Sequence, residues 1–230
     1  MKSGNPGHSL DRLLEQSEIP RDSEPARRLA GYLELLEKWN ARINLTASTE
    51  WGAIEPLIAE AIWATRFYPA GADSHLDIGS GAGFPAIVLK ILIPRIALDL
   101  VESRRKKTEF LQTAAQILGI GGVRAHHARL DEFLLRRGGN ASWDCVSWKG
   151  LKLSRADLEL LRARVSEGAQ FWIFHGKEMA LEDPDRAVEG LELIRSERFP
   201  GRKDWNLTIY EKSENVSRET RRKKLGPCFT

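Results

Sequence analysis

Asp77-Ile-Gly79-Ser-Gly81-Ala-Gly83-Phe-Pro85 carries the densest chemical signal in this chain. It follows a short apolar run beginning at His75, so it reads as a strand turning into a helix. Glycines at such a turn expose backbone with no Cβ in the way, and positive φ is open to them. The helix that follows presents free N–H groups. Glu102 stands 21 residues after Gly81, at the end of the apolar run LDLVE. A carboxylate there can accept both hydroxyls of a ribose. The dinucleotide fingerprint G-x-G-x-x-G requires a glycine where this chain has Phe84. The spacing D-x-G-x-G-x-G instead suits S-adenosylmethionine, which has no pyrophosphate but lays its amino-acid end and ribose against bare backbone. Asp77, Gly79, Gly81 and Glu102 are therefore the first cofactor-binding candidates. The alternative is an ordinary tight loop beside a solvated strand end.

Positioning these groups takes a sheet. Strands are expected at His75–Gly79, Ala97–Glu102, Val123–Ala128, Trp143–Trp148 and Gln170–His175. Helices are expected between them at Phe84–Ile93, Arg104–Leu118, Leu130–Arg137 and Arg155–Val165, the last capped by Ser154. This alternation implies βαβ units and a parallel sheet. Leu193–Phe199 and Trp205–Lys212 are joined through Pro200-Gly201, a connection short enough to force an antiparallel hairpin. Seven strands, mostly parallel with a hairpin at the end, are the Rossmann-like α/β layout of class I S-adenosylmethionine-dependent methyltransferases. Ahead of the sheet, Ser23 caps a helix with Pro25 in its first turn and Leu29, Leu33, Leu36 and Ile43 on one face. A second apolar helix covers Ala53–Phe67, while residues 1 to about 24 read as polar and aperiodic. The expected organisation is a helical extension at 1–70, a methyltransferase domain at 71–213 and a basic tail at 214–230.

Composition narrows the class. Hydrophobic residues make up 42% and charged residues 29%, enough for a buried core, and no run reaches the roughly 18 apolar residues of a membrane helix. The N-terminal MKSGNPGHSLDR has no apolar stretch, so a cytoplasmic location is expected. The net charge of +3 hides two basic clusters: Arg104, Arg105, Lys106 and Lys107, and Arg218, Arg221, Arg222, Lys223 and Lys224 in the tail. Such clusters neutralise phosphates, although a solvated helix turn and a frayed end look the same. Cys145 and Cys228 are too few for a disulfide framework or a zinc module. Cys145 lies in the apolar strand WDCVSW and Cys228 in the tail, which gives nucleophilic catalysis at cytosine little support. His126, His127 and His175 lack the partners of a metal site, so no metal is expected.

Three segments resemble a known family: LLEKWNARINLTA (Leu35–Ala47), HLDIGSGAGFPAIVLKILIP (His75–Pro94) and VESRRKKTEFL (Val101–Leu111). They are similar to ribosomal RNA small subunit methyltransferase G, also called glucose-inhibited division protein B. The K-W-N-x-x-x-N-L-T run is the most specific of them, and the segment ARLDEF (Ala128–Phe133) is similar to the family's adenine-side motif. The resemblance implies methyl transfer from S-adenosylmethionine to N7 of a guanine in bacterial 16S rRNA. It implies that Gly79, Gly81 and Phe84 line the methionine side, Glu102 the ribose, and Leu130 and Asp131 the adenine. Core packing is the other role open to Phe84 and Leu130, and a helix N-terminal carboxylate the other role open to Asp131.

The family pattern breaks at the substrate half. Where it carries an R-H-x-x-D-S-like run, this chain has Ala59-Glu60-Ala-Ile-Trp63-Ala64; where it has S-R-A, this chain has Ser147-Trp148-Lys149-Gly150. Lys149 is thus expected to supply the catalytic-side charge, and Trp148 to stack on a flipped guanine. RNA is expected to be held by Arg104, Arg105, Lys106 and Lys149. A monomer acting on 16S rRNA or the small ribosomal subunit is the leading expectation. An RNA-binding protein that has lost transfer, and a methyltransferase with another substrate, are the competing ones.

Overall fold

Strands buried on both faces need helices above and below them, and the chain is built that way. The computed structural model describes residues 6–137, 142–176 and 190–213; the basic tail and Cys228 lie outside the described residues. The strands are β1 (Ser74–Ile78), β2 (Ala97–Glu102), β3 (Val123–His127), β4 (Trp143–Lys149), β5 (Val165–Gly176), β6 (Leu191–Arg198) and β7 (Trp205–Lys212). They form one sheet in the order β3-β2-β1-β4-β5-β7-β6. The first five run parallel, whereas β7 is antiparallel to β5 and to β6. Strand order reverses between β1 and β4, and ligands in such sheets sit in the crevice at the carboxyl ends beside that switch.

The helices are α1 (Pro6–Gln16), α2 (Glu24–Ile43), α3 (Trp51–Ala64), α4 (Ala86–Leu92), α5 (Arg105–Ile117), α6 (Leu130–Arg137) and α7 (Arg155–Arg162). Helices α1 to α5 share a core with one face of the sheet, through residues such as Leu29, Ile58, Ile87, Phe110, Leu98 and Trp172. The opposite face packs Leu76, Val146 and Phe171 against Phe133 of α6 and Leu161 of α7. The first helices thus contribute to the central core and are not a detached layer.

Two expectations change. Residues 6–16 are helical, with Leu10, Leu13 and Leu14 buried; their i, i+3, i+4 spacing makes one apolar stripe inside an otherwise polar stretch. Helix α7 ends at Arg162 and Val165 already belongs to β5, paired with Trp143. The Ser154 cap holds as expected, in a capping box with Asp157.

The K-W-N-x-x-x-N-L-T segment ends α2 and ties it to α5. The Trp39 ring meets Phe110 edge-on at 5.8 Å, Asn40 Oδ1 accepts the Thr46 N–H at 2.9 Å, and Lys107 Nζ donates to the Leu45 carbonyl at 3.1 Å. The specific motif is therefore a clamp between two helices that flank the glycine turn.

Strand β2, which ends at Glu102, is anchored by Asp99. Its side chain is 2% exposed and accepts from Arg124, His126, Arg137 and the Trp143 indole at 2.8–3.2 Å. Burial alone would raise its pKa; the donors of His126, Trp143, Arg137 and Arg124 outweigh that and bring it to about 2. The contribution is complete above the carboxylate range near pH 4 and is lost as pH falls toward 2. Asp99→Asn is expected to lower unfolding free energy by about 3 kcal/mol at pH 7. Urea denaturation checks this, and the gap between wild type and variant should narrow below pH 4.

Candidate active site

The glycine turn leaves β1 at Ile78 and enters α4 at Ala86. Gly79 has φ +68°, and a Cβ there would lie 2.2 Å from Leu151 Cδ1, so Leu151 rests directly on bare backbone. Gly83 has φ +90° and would collide with Ile87, the Tyr32 hydroxyl and Leu111. Tyr32 of α2 donates to the Ala82 carbonyl and meets the Phe84 ring edge-on at 5.4 Å. The turn is thus pinned from the helical side.

Glu102 pins it from the sheet side. One carboxylate oxygen accepts the Gly81 N–H at 2.9 Å and the other the Arg104 N–H at 2.7 Å. Two more lone pairs remain on such a carboxylate, enough to accept a pair of ribose hydroxyls. A Cβ on Gly81 would meet only the Gly79 carbonyl within 4 Å, at 3.7 Å, so this stretch of backbone is open to a ligand. These features fit the methyl donor read from the motif.

Asp77 is placed differently from the expectation. It is 2% exposed and supports the turn from below instead of lining the crevice. Ser147 Oγ donates to Asp77 Oδ1 at 2.6 Å, His75 Nε2 lies 2.8 Å from Ser147 Oγ, and the Tyr68 hydroxyl lies 3.1 Å from His75 Nδ1. A neutral His75 with its proton on Nε2 satisfies every member of this chain, and burial holds its pKa down to about 3. Burial pushes Asp77 up to about 7, against hydrogen bonds from Ser147 and Ser80.

Side-chain alternation along β4 decides the fate of Trp148 and Lys149. Trp148 pairs with Ile78 and points into the core under α6 and α7, 2% exposed. The expected stacking role is corrected on that ground: the indole is core. Lys149 emerges on the opposite face, where its ammonium reaches Glu60 Oε1 of α3 at 2.6 Å. Glu60 is 1% exposed on its side chain and Lys149 16%. Burial disfavours the charge on each, raising Glu60 and lowering Lys149, and each partner opposes that shift in the other. The Lys149 ammonium also stands 5.4 Å from the Trp205 ring, on which Arg202 stacks at 4.2 Å. The Ala59–Ala64 and Ser147–Gly150 segments singled out in the sequence therefore meet in space, across 89 residues. No local pattern signals that contact.

Phe84 is buried against Tyr32, Leu130 is half-buried against the second core, and Asp131 is exposed in the first turn of α6. Arg104, Arg105 and Lys106 are exposed at the start of α5, with Arg105 paired to Glu109 at 2.9 Å. His127 Nε2 lies 3.1 Å from the Ser103 carbonyl, which puts the end of β3 beside that basic edge, and Arg129 follows two residues later, exposed. His175 bonds Thr208 and the Gly176 carbonyl. Among the described residues no group of His, Cys, Asp or Glu is arranged to hold a metal, and no helix is long and apolar enough to cross a membrane.

The family model for rRNA small subunit methyltransferase G (GidB) matches residues 26–189. The chain belongs to that family. A relative of that name from Streptococcus pneumoniae is 28% identical over 94% of both chains, and one from Wolinella succinogenes is 30% identical over 74% of this chain and 84% of its own. Among solved structures, a Klebsiella pneumoniae protein assigned provisionally as an O-methyltransferase aligns with TM-score 0.58 at 14% identity, covering 90% of this chain and 97% of that one. That likeness speaks for the class I methyltransferase fold.

Asp77 yields a pH-dependent outcome. Its folded pKa lies above its unfolded one, so its contribution is complete below about pH 4 and is lost as pH rises through about 7. Melting temperatures of wild type and Asp77→Asn are expected to show a larger advantage for wild type at pH 5 than at pH 8. An unchanged difference would mean that Asp77 titrates normally.

Proposed function

We propose that this chain transfers a methyl group from S-adenosylmethionine to N7 of a guanine in 16S rRNA, acting in the cytoplasm. The observation that carries the reading is the glycine turn bridged to β2 by Glu102, beside a polar pair at the end of β4. The donor supplies an electrophilic methyl on a sulfonium. Gly81 offers bare backbone to its amino-acid end, Gly79 turns the chain there with Leu151 over it, Glu102 accepts its ribose, and Leu130 and Asp131 flank its adenine.

Guanine N7 carries an available lone pair, so no strong general base is required, and alignment supplies most of the rate. The site agrees with that demand. His75 is buried and neutral, Asp77 is covered by Ser147, and Lys149 is tied to Glu60. None is poised to remove a proton from a substrate. The exposed Arg104, Arg105, Lys106 and Arg129 give phosphates a basic edge next to the cofactor crevice.

Purified protein should label small ribosomal subunits from cells lacking it, with 7-methylguanosine recovered after nuclease digestion and mass analysis. Donor binding with no incorporation into any RNA would favour the second reading, an RNA-binding protein that keeps the fold.

A further inference from the structure

A buried ion pair is expensive to form, because both charges must leave water. Lys149 and Glu60 form such a pair at the carboxyl ends of the strands, at the mouth of the proposed site. Lys149 is the last residue of β4, one register step beyond the Ile78–Trp148 pair, so it lies level with Gly79. Trp205 stands at the matching end of β7, opposite Gly176. The ammonium therefore sits at the carboxyl end of the sheet between Glu60 of α3 and the Trp205 ring, level in register with the turn. We propose that Glu60 is a positioning and charge-compensating residue: it fixes the Lys149 ammonium at the acceptor base and neutralises it there. This inference rests on the guanine-N7 reading.

The electron balance gives the reason. The N7 lone pair forms the new bond to the methyl carbon, and the carbon–sulfur pair leaves with the sulfur, which becomes a neutral thioether. No proton moves. One unit of positive charge passes from the sulfonium to the guanine ring. An ammonium can donate to the O6 acceptor that lies beside N7, and so orient the base. A bare ammonium at that place would also repel the charge arriving on the ring, in a site where fields are weakly screened. Glu60 resolves the conflict. Lys149 keeps its donors, Glu60 accepts one of them at 2.6 Å, and the pair carries no net charge. Arg202 stacks on the Trp205 ring at 4.2 Å, and its positive charge also favours the ionised form of Glu60.

The test is steady-state methylation of undermethylated small subunits by wild type, Glu60→Gln, Lys149→Met and the double variant, with donor affinity by calorimetry and melting temperature on each. Glu60→Gln keeps the side-chain shape and can still accept from Lys149. Assayed below its melting temperature, it is expected to lower kcat by tenfold or more with donor affinity within twofold of wild type, and to lose melting temperature that the double variant, which also removes the leftover charge, recovers. The double variant should be more active than Glu60→Gln, because removing the lysine removes the uncompensated charge. Full kcat in Glu60→Gln, or a double variant whose loss is the product of the single losses, would overturn the role assigned to Glu60. Failure of the wild type to make 7-methylguanosine would overturn the guanine-N7 reading itself, a result distinguishable from either.

Discussion

One carboxylate ties the glycine turn to the end of the neighbouring strand. Glu102 closes β2, and its oxygens take the Gly81 N–H from the turn after β1 and the Arg104 N–H from the start of α5. The Gly79 and Ser80 N–H groups bond the Val101 carbonyl, and the Glu102 bridge adds the hold on Gly81 in a turn of three positive-φ glycines, residues that give up the most conformational freedom on ordering. With it, the backbone of the turn is fixed in relation to the carboxylate proposed to accept the ribose. The Asp99 network secures β2 from behind, and Tyr32 secures the turn from the helical side. The same contacts that hold the fold together thus prepare the crevice.

Below the turn the chemistry is protective. The chain from Tyr68 through His75 and Ser147 to Asp77 keeps four polar side chains satisfied inside an apolar interior. An unsatisfied member would cost about 1–3 kcal/mol. It also keeps the first acidic residue of the motif buried beneath the turn and out of the crevice. The Lys149–Glu60 pair joins α3 to the end of β4 at the carboxyl edge of the sheet.

Much of this was legible in the sequence, and the failures have physical causes. The seven strands, the hairpin and the turn follow from apolar runs, short connections and glycine spacing, all local signals. Helix α1 escaped because its stripe rests on only Leu10, Leu13 and Leu14 among polar neighbours. The start of β5 at Val165 escaped because Arg155–Arg162 reads as a helix whose apolar period carries on into Val165. The place of Trp148 at the end of β4 suggests the crevice, but one step of side-chain alternation turns it into the core and leaves Lys149 on the other face. Glu60 had no local signature at all. A carboxylate in an apolar helix is explained only by a cation that the fold delivers from 89 residues away.

The central claim is that the turn bridged by Glu102 is the seat of a methyl donor. Calorimetric titration of S-adenosylmethionine into the wild type and into Glu102→Ala tests it most directly. The account predicts one donor per wild-type chain and an affinity at least tenfold weaker in the variant. No heat of binding in the wild type, or equal affinity in the two proteins, would contradict it.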